Sequence, residues 1–379
     1  MALVLNQEQE MLRESALAFL REKAPVAQLR ALRDTHDETG FSPALWRGFA
    51  DMGFTGVLIP EAYGGLGLGP VEAGVIMEAI GRNLSATPFF SSAVLAASLL
   101  AQHGSEVQKQ TYLPQIAAGK LIMALAVDEA SKHRPQQQAL KATPNEKGIR
   151  LQGAKSFVVD GHVAQTLIVA ARSAGAVNDR DGITLFLVNA LTPGLTIERT
   201  AMADSHNAAR LVFENVDVDA DAIIGEIGQG WPALDAALDV GRAALASELL
   251  GIADEAFERT LVYLKERKQF GQTIGEFQAL QHRVAHLYSD IEITRALVLH
   301  SQQLLDEGSE KAAALVSAAK ARAATTSALA VQEGVQMHGG MGMTDEFEIG
   351  FFMKRQRVAQ ELLGDANFHA DRWARLHQY

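Results

Sequence analysis

Apolar residues recur at helical spacing over most of this chain and at strand spacing only in its middle third. Behind Asn6 and Gln9, a pair that reads as a helix start, Met11, Leu12, Ala16, Phe19 and Leu20 fall three or four residues apart. Further helical patterns lie around Ser42–Met52, Pro70–Gly81 and Ser91–His103, and Pro60 with Gly64-Gly65-Leu66-Gly67 marks a loop between two of them. Residues 1–120 therefore predict an all-α domain. From Leu121 the texture changes to short β-branched runs: Ile149–Val159, Thr166–Ala171, Ile183–Val188, Leu195–Thr200 and Leu211–Val218. Gly153, Asp160-Gly161, Asp181-Gly182 and Pro193-Gly194 punctuate them, so 121–226 predict a small antiparallel β domain. The polar segment Ser131–Asn145, with two prolines, reads as a mobile loop. After a break at Gly225–Trp231, residues 227–379 are helical, with long runs over Leu234–Lys268, Gln278–Asp306 and Lys311–Gln336. Long antiparallel helices with short connections predict a bundle, and the Ala and Leu that dominate the third run read as packing.

A chain of 379 residues is too long for one core and implies two or three domains or layers. Its hydrophobic content of 48% supplies them. The net charge of −11 disfavours nucleic-acid binding. With no cysteine, disulfides, thiolate metal sites and thiol nucleophiles are excluded, and no metal is expected. The opening MALVLNQEQEMLRES lacks a basic stretch followed by an apolar one, so no secretory signal is expected. No apolar run approaches the ~20 residues that span a bilayer. A soluble, cytoplasmic protein without membrane insertion is expected.

Candidate chemistry concentrates in Glu266-Arg267-Lys268-Gln269-Phe270-Gly271 and its continuation to Phe277-Gln278. Arg267 offers a planar fork of donors suited to phosphate, Phe270 a flat apolar face, and Gly271 a sharp turn. Read without chemistry, the segment is a helix–turn–helix corner. Gln336-Met337-His338-Gly339-Gly340-Met341-Gly342 closes the third long run. Met52-Gly53-Phe54 and Ile59-Pro60-Glu61-Ala62-Tyr63-Gly64-Gly65 stand in the first third. In this order and at these separations the three segments resemble the acyl-CoA dehydrogenase family over nearly the whole chain.

The resemblance implies an α+β fold: an N-terminal all-α domain, a middle antiparallel β-barrel or sandwich, and a C-terminal four-helix bundle. It implies FAD between the β domain and the bundle, completed by a neighbouring subunit, in dimers or tetramers. Arg267 and Phe270 then reach the pyrophosphate and adenine side of an FAD bound mainly by another subunit, with Gln278, Gln336, Gly339 and Gly340 on the same surface. His338, alone in a glycine turn, reads as a surface or capping group. In Gly153-Ala154-Lys155-Ser156-Phe157-Val158-Val159, Phe157 matches the aromatic that flanks the flavin ring. Val159 replaces a Thr or Ser, leaving only its backbone N–H. The family's T-E-P-x-A-G-S-D loop corresponds to Val127-Asp128-Glu129-Ala130-Ser131-Lys132-His133-Arg134-Pro135, where Val127 is assigned to the cofactor and Glu129 survives, while the Pro, the Ala-Gly-Ser turn and the final Asp are missing.

The implied reaction oxidises the α,β-bond of an acyl-CoA to the 2-enoyl-CoA and passes electrons to an electron-transfer flavoprotein. It needs a carboxylate base near the α-carbon. The family's late glutamate position falls on Gly364 counting from Lys354-Arg355 and on Asp365 counting back from Arg372; its early position holds Gly241 beside Arg242. Three readings stay open: Asp365 is the base, Glu248 two turns along from Gly241 is the base, or this chain supplies none. The ending LGDANFH resembles small subunits of heteromeric acyl-CoA dehydrogenases such as the pimeloyl-CoA enzyme. The chain is then a homo-oligomer, or half of a heterotetramer with a paralogous subunit and a half-site or non-catalytic role. A flavin oxidase or monooxygenase is the further alternative, because nitroalkane-oxidising relatives use an aspartate base. Asp239 and Arg242 match the family's Asp-x-x-Arg on the CoA-facing helix; otherwise they form an exposed salt bridge.

Overall fold

The structure, a computed structural model, describes residues 3–146 and 148–379. The N-terminal third carries α1 (Gln7–Lys23), α2 (Val26–Asp34), α3 (Pro43–Asp51), α4 (Pro70–Asn83), α5 (Ala97–His103) and α6 (Glu106–Ala117). The Asn6/Gln9 start is a closed capping box: the Gln9 N–H donates to Asn6 Oδ1 at 2.9 Å and the Asn6 N–H to Gln9 Oε1 at 3.0 Å. Ser105 and Gln108 open α6 in the same way. The helix expected from Ser91 runs instead as a π-helical stretch, Phe89–Ala96, before settling into α5.

The middle third holds β1 (Met123–Ala126), β2 (Lys141–Asn145), β3 (Gly148–Val159), β4 (Thr166–Arg172), β5 (Ile183–Asn189), β6 (Leu195–Ala201), β7 (Asn207–Val218) and β8 (Ile223–Ile224). They form one eight-stranded sheet in the order β6-β7-β3-β2-β4-β5-β8, with β1 on β4. The β1–β4 pair is parallel, Met123 opposite Thr166, and β2 meets β4 in parallel at Lys141 and Arg172. The antiparallel expectation therefore holds for the other pairings, and the sheet is mixed. β4 is buried along its whole length, which is why it reads as a continuous apolar run without alternation.

The C-terminal part begins with α7 (Trp231–Glu266), followed by a hairpin of β9 (Lys268–Gln269) and β10 (Gln272–Thr273). Then come α8 (Gln278–Asp306), α9 (Ala312–His338), α10 (Ile349–Ala359) and α11 (Ala366–Leu376). No helix among the described residues is long and apolar enough to cross a membrane. The chain packs as two compact units that interleave in sequence: Met1–Ala31 with Pro70–Ser85 and Arg242–Tyr379, and Leu32–Gly69 with Ala86–Gly241.

In the helical unit, Ala246 and Leu249 of α7, Val298 of α8, Ala319, Ala323 and Ala324 of α9 and Ala359 of α10 share one core cluster. Leu250, Ala253, Phe257, Leu287, Ile291 and Ala330 form a second. Small residues on α9 let its backbone approach its neighbours closely. α4 and α7 approach backbone to backbone. A Cβ on Gly81 would stand 2.1 Å from the Glu248 carbonyl oxygen, and one on Gly251 would stand 2.1 Å from that of Glu78. Arg295 of α8 ties the same region, donating to Asp254 at 2.7 and 2.9 Å and to Glu78 at 3.2 Å. Burial raises both of those carboxylates above their ordinary range.

Candidate active site

The segment after α7 is a β-hairpin, which corrects the helix–turn–helix corner. Gln269 pairs with Gln272 and Lys268 with Thr273, so Phe270 and Gly271 make a two-residue loop. Both have positive φ, 53° and 82°, as a type I′ turn requires. A phenylalanine in the left-handed region is uncommon, and here it holds a ring that is 91% exposed.

That ring borders a cleft of 590 Å³ lined also by Arg267, Arg283, Gln336, Gly339 and Gly340 over a floor including Ile274, Leu280 and Met337. Gly339 takes φ 60° and ψ −135°, a conformation open to glycine alone. A Cβ on Gly340 would meet nothing within 4 Å, so nothing within the chain demands glycine there. A partner that needs close backbone approach would. Arginine donors, an amide side chain, an aromatic face and bare backbone together suit a ligand that carries both phosphate and a flat ring. Gln278, at the first turn of α8, is exposed and outside this lining.

His338 is not the surface or capping group expected. It is buried, its ring centroid 4.4 Å from that of Tyr263 and 4.3 Å from that of Phe347. Nδ1 donates to the Gly334 carbonyl at 2.7 Å, and burial lowers its pKa.

Around the α10–α11 connection the two candidate bases are both engaged. Arg355 donates to Glu248 through Nε at 2.6 Å and Nη2 at 3.0 Å, a buried two-pronged pair between α10 and α7. Glu248 is thus an interhelical ion-pair partner. Asp365 caps α11, its Oδ1 accepting the Phe368 N–H at 2.8 Å. Asp365 keeps partial exposure where Glu248 has almost none. Gly364 has φ 108°, and a Cβ there would lie 2.3 Å from the Phe368 ring. A glutamate at that position would have to displace Phe368.

Arg242 is fully buried, with its guanidinium 5.7 Å from the Phe368 ring centroid. Asp239, three residues earlier on α7, is buried too, which corrects the exposed-salt-bridge reading. Lys320 of α9 was not singled out by sequence, because it lies in a run of alanines. Its ammonium is fully buried and donates to the carbonyl oxygens of Ala359, Gln360 and Gly364.

In the sheet unit, the strand carrying Phe157 and Val159 breaks register with β7 between Lys155 and Val158. Phe157 sits at that irregularity with φ 52° and its ring 53% exposed. Val159 lies opposite Ala208. Lys155, fully buried, donates to the Val127 carbonyl at 3.1 Å, to Glu129 at 2.7 Å and to Gln138. Burial pushes this lysine down to about 8 even with Glu129 beside it. Glu129 also accepts the N–H groups of Ala139 and Leu140, and Asp128 holds His133. The expected mobile loop is therefore cross-braced, and its last residues form β2.

The structure brings Arg267, Phe270, Gln336, Gly339 and Gly340 to one cleft, and Glu248, Lys320, Gly364 and Asp365 to one turn. The donors, aromatic face and bare backbone of the cleft fit a nucleotide cofactor. The acyl-CoA dehydrogenase family models match residues 6–120 (N-terminal domain), 127–216 (middle domain) and 228–376 (C-terminal domain). Mitochondrial isovaleryl-CoA dehydrogenase of Pongo abelii is 33% identical over 93% of this chain and 85% of its own length. Butyryl-CoA dehydrogenase from Megasphaera elsdenii superposes with a TM-score of 0.90 at 26% identity over all of both chains. A chain of the ChsE4-ChsE5 complex from Mycobacterium tuberculosis does so with 0.90 at 25% identity, over 100% of this chain and 99% of that one. The chain belongs to the acyl-CoA dehydrogenase family, FAD-dependent oxidoreductases that act on CoA thioesters.

Proposed function

We propose that this chain serves the FAD-dependent oxidation of an acyl-CoA α,β-bond as one half of an assembly with a paralogous subunit that carries the base. The observation behind this is the contrast between its two sites. The 267–341 cleft is open, whereas the two candidate carboxylates are engaged within the helical unit, Glu248 with Arg355 and Asp365 at the N-terminus of α11. The heteromeric ChsE4-ChsE5 neighbour supports the same reading.

Bound FAD supplies the acceptor for the β-hydrogen and both electrons, which then pass to an electron-transfer flavoprotein. Arg267 and Gln336 would present donors to the phosphates, and Phe270 a flat face to the adenine side, of an FAD bound mainly by the neighbouring subunit. Gly339 and Gly340 let the backbone come close. In the sheet unit, Phe157 would offer its exposed ring, and Val159 and Val127 their backbone, to a flavin ring. Asp239 and Arg242 are the residues assigned to the CoA side.

Arg267→Ala is expected to weaken FAD retention about 10- to 100-fold, the worth of a charge-assisted contact. The apoprotein's melting temperature should stay where it was, since Arg267 is exposed. Flavin fluorescence released on dialysis measures the first effect and calorimetry the second. Unchanged retention would remove Arg267 from the site.

A second reading rests on the partial exposure of Asp365. If Asp365 is the base, Asp365→Asn lowers turnover of the assembly about 10³-fold. Asparagine caps a helix as well as aspartate, so the fold is spared. The half-site reading expects turnover within about twofold of the parent.

A further inference from the structure

Lys320 places one buried nitrogen against three backbone carbonyls, those of Ala359 at 3.2 Å, Gln360 at 3.1 Å and Gly364 at 3.2 Å. Ala359 ends α10, Gln360 caps it, and Gly364 immediately precedes the N-cap of α11. Carbonyls at a helix C-terminus have no donor within the helix, and a cation there also meets the negative end of the dipole. Three acceptors match the three N–H bonds of an ammonium; a neutral amine has only two.

We propose that Lys320 is a positioning residue that clamps the α10–α11 turn in its protonated form and loosens it on losing that proton. The Gly364 carbonyl, and with it the entry of Asp365 into α11, is then set from α9 by a single removable proton. This rests on the reading above only in giving the turn a place beside the reaction.

The charged groups acting on this nitrogen are Glu248 and Arg242 from α7 and Glu361 and Asp365 from the turn. Arg355 of α10 is paired with Glu248, Arg372 of α11 donates to Ser317, about one turn before Lys320 on α9, and His369 of α11 is buried. Burial pushes the ammonium down to about 7, ahead of the opposing pull of Glu248 and Glu361. The folded value lies below that of an unfolded lysine, so between the two the unfolded chain binds more protons. This group's contribution to global stability therefore rises with pH through that window, while the clamp weakens. A general loss of structure would not produce that opposition.

The test is amide hydrogen exchange of residues 360–369 in the full chain from about pH 6 to about pH 9, corrected for intrinsic base catalysis. It is read beside the ¹³C titration of the Lys320 side chain, assigned with Lys320→Gln. The expected result is a Lys320 titration near 7 and an about tenfold loss of protection in the turn with the same midpoint, while α8 stays flat. Lys320→Gln should sit at the loosened level at every pH; if it does not fold, the parent's own titration decides. Protection that stays level while Lys320 titrates would overturn the proposal. Absence of acyl-CoA turnover by the assembly at every pH would instead remove the functional reading and leave the exchange result standing.

Discussion

Gly251→Val leaves little folded protein. The added Cβ must occupy a point 2.1 Å from the Glu78 carbonyl oxygen and 2.9 Å from its carbon, and both atoms are backbone. No rotamer change relieves that contact, so α4 and α7 have to part. Separation would also pull Arg295 from Asp254 or Glu78 and expose carboxylates that burial already penalises. Overpacking costs typically about 1–3 kcal/mol where neighbours can yield. Where only backbone can move and an ion-pair network breaks with it, a loss above about 4 kcal/mol is expected, a large part of a domain's net stability. Gly81→Val meets the Glu248 carbonyl in the same way. Soluble yield and chemical denaturation measure both, and a variant that melts like the parent would mean that the helices do not touch there.

Glu248→Gln separates an ion pair from a base. Arg355 is itself buried and receives its two-pronged partner from Glu248. Removing one charge leaves the other in a site built for neutrality, which costs about 3–5 kcal/mol. A melting temperature lowered by several degrees is therefore expected in the apoprotein, before any thioester is added. The double change Glu248→Met with Arg355→Met should recover much of that loss, because two apolar side chains of similar length leave no orphan charge. A single variant as stable as the parent, with turnover abolished, would return Glu248 to the role of base.

Much of the framework was legible in local pattern. The Asn6/Gln9 capping box, the strands from Ile149 to Val218 and the limits of α8 follow from signals within a few residues of one another. What escaped depends on partners distant in sequence. Glu248 and Arg355 lie 107 positions apart, so helical spacing along α7 could suggest a base but could not show the guanidinium opposite. Lys155 reaches back to Glu129, and that bond turns an apparently loose polar segment into a braced one. The hairpin at 268–273 was hidden between two long helical patterns, and Phe-Gly is not among the usual type I′ pairs. Lys320 was masked by the alanines around it, although a lone cation amid small buried residues is a signal that can be looked for. The parallel β1–β4 pair has no local mark at all, since parallel pairing is decided by the connection.

We propose that this chain presents a flavin cleft but leaves the base to a paralogous partner. Anaerobic titration of the chain purified alone with a panel of CoA thioesters, followed in the visible flavin band, tests it most directly. No thioester is expected to bleach the chain alone, and bleaching is expected once it is co-expressed with a paralogous acyl-CoA dehydrogenase chain carrying a glutamate in the turn that Gly364 occupies here. A flavin on the chain alone that a thioester bleaches at a catalytic rate would contradict it.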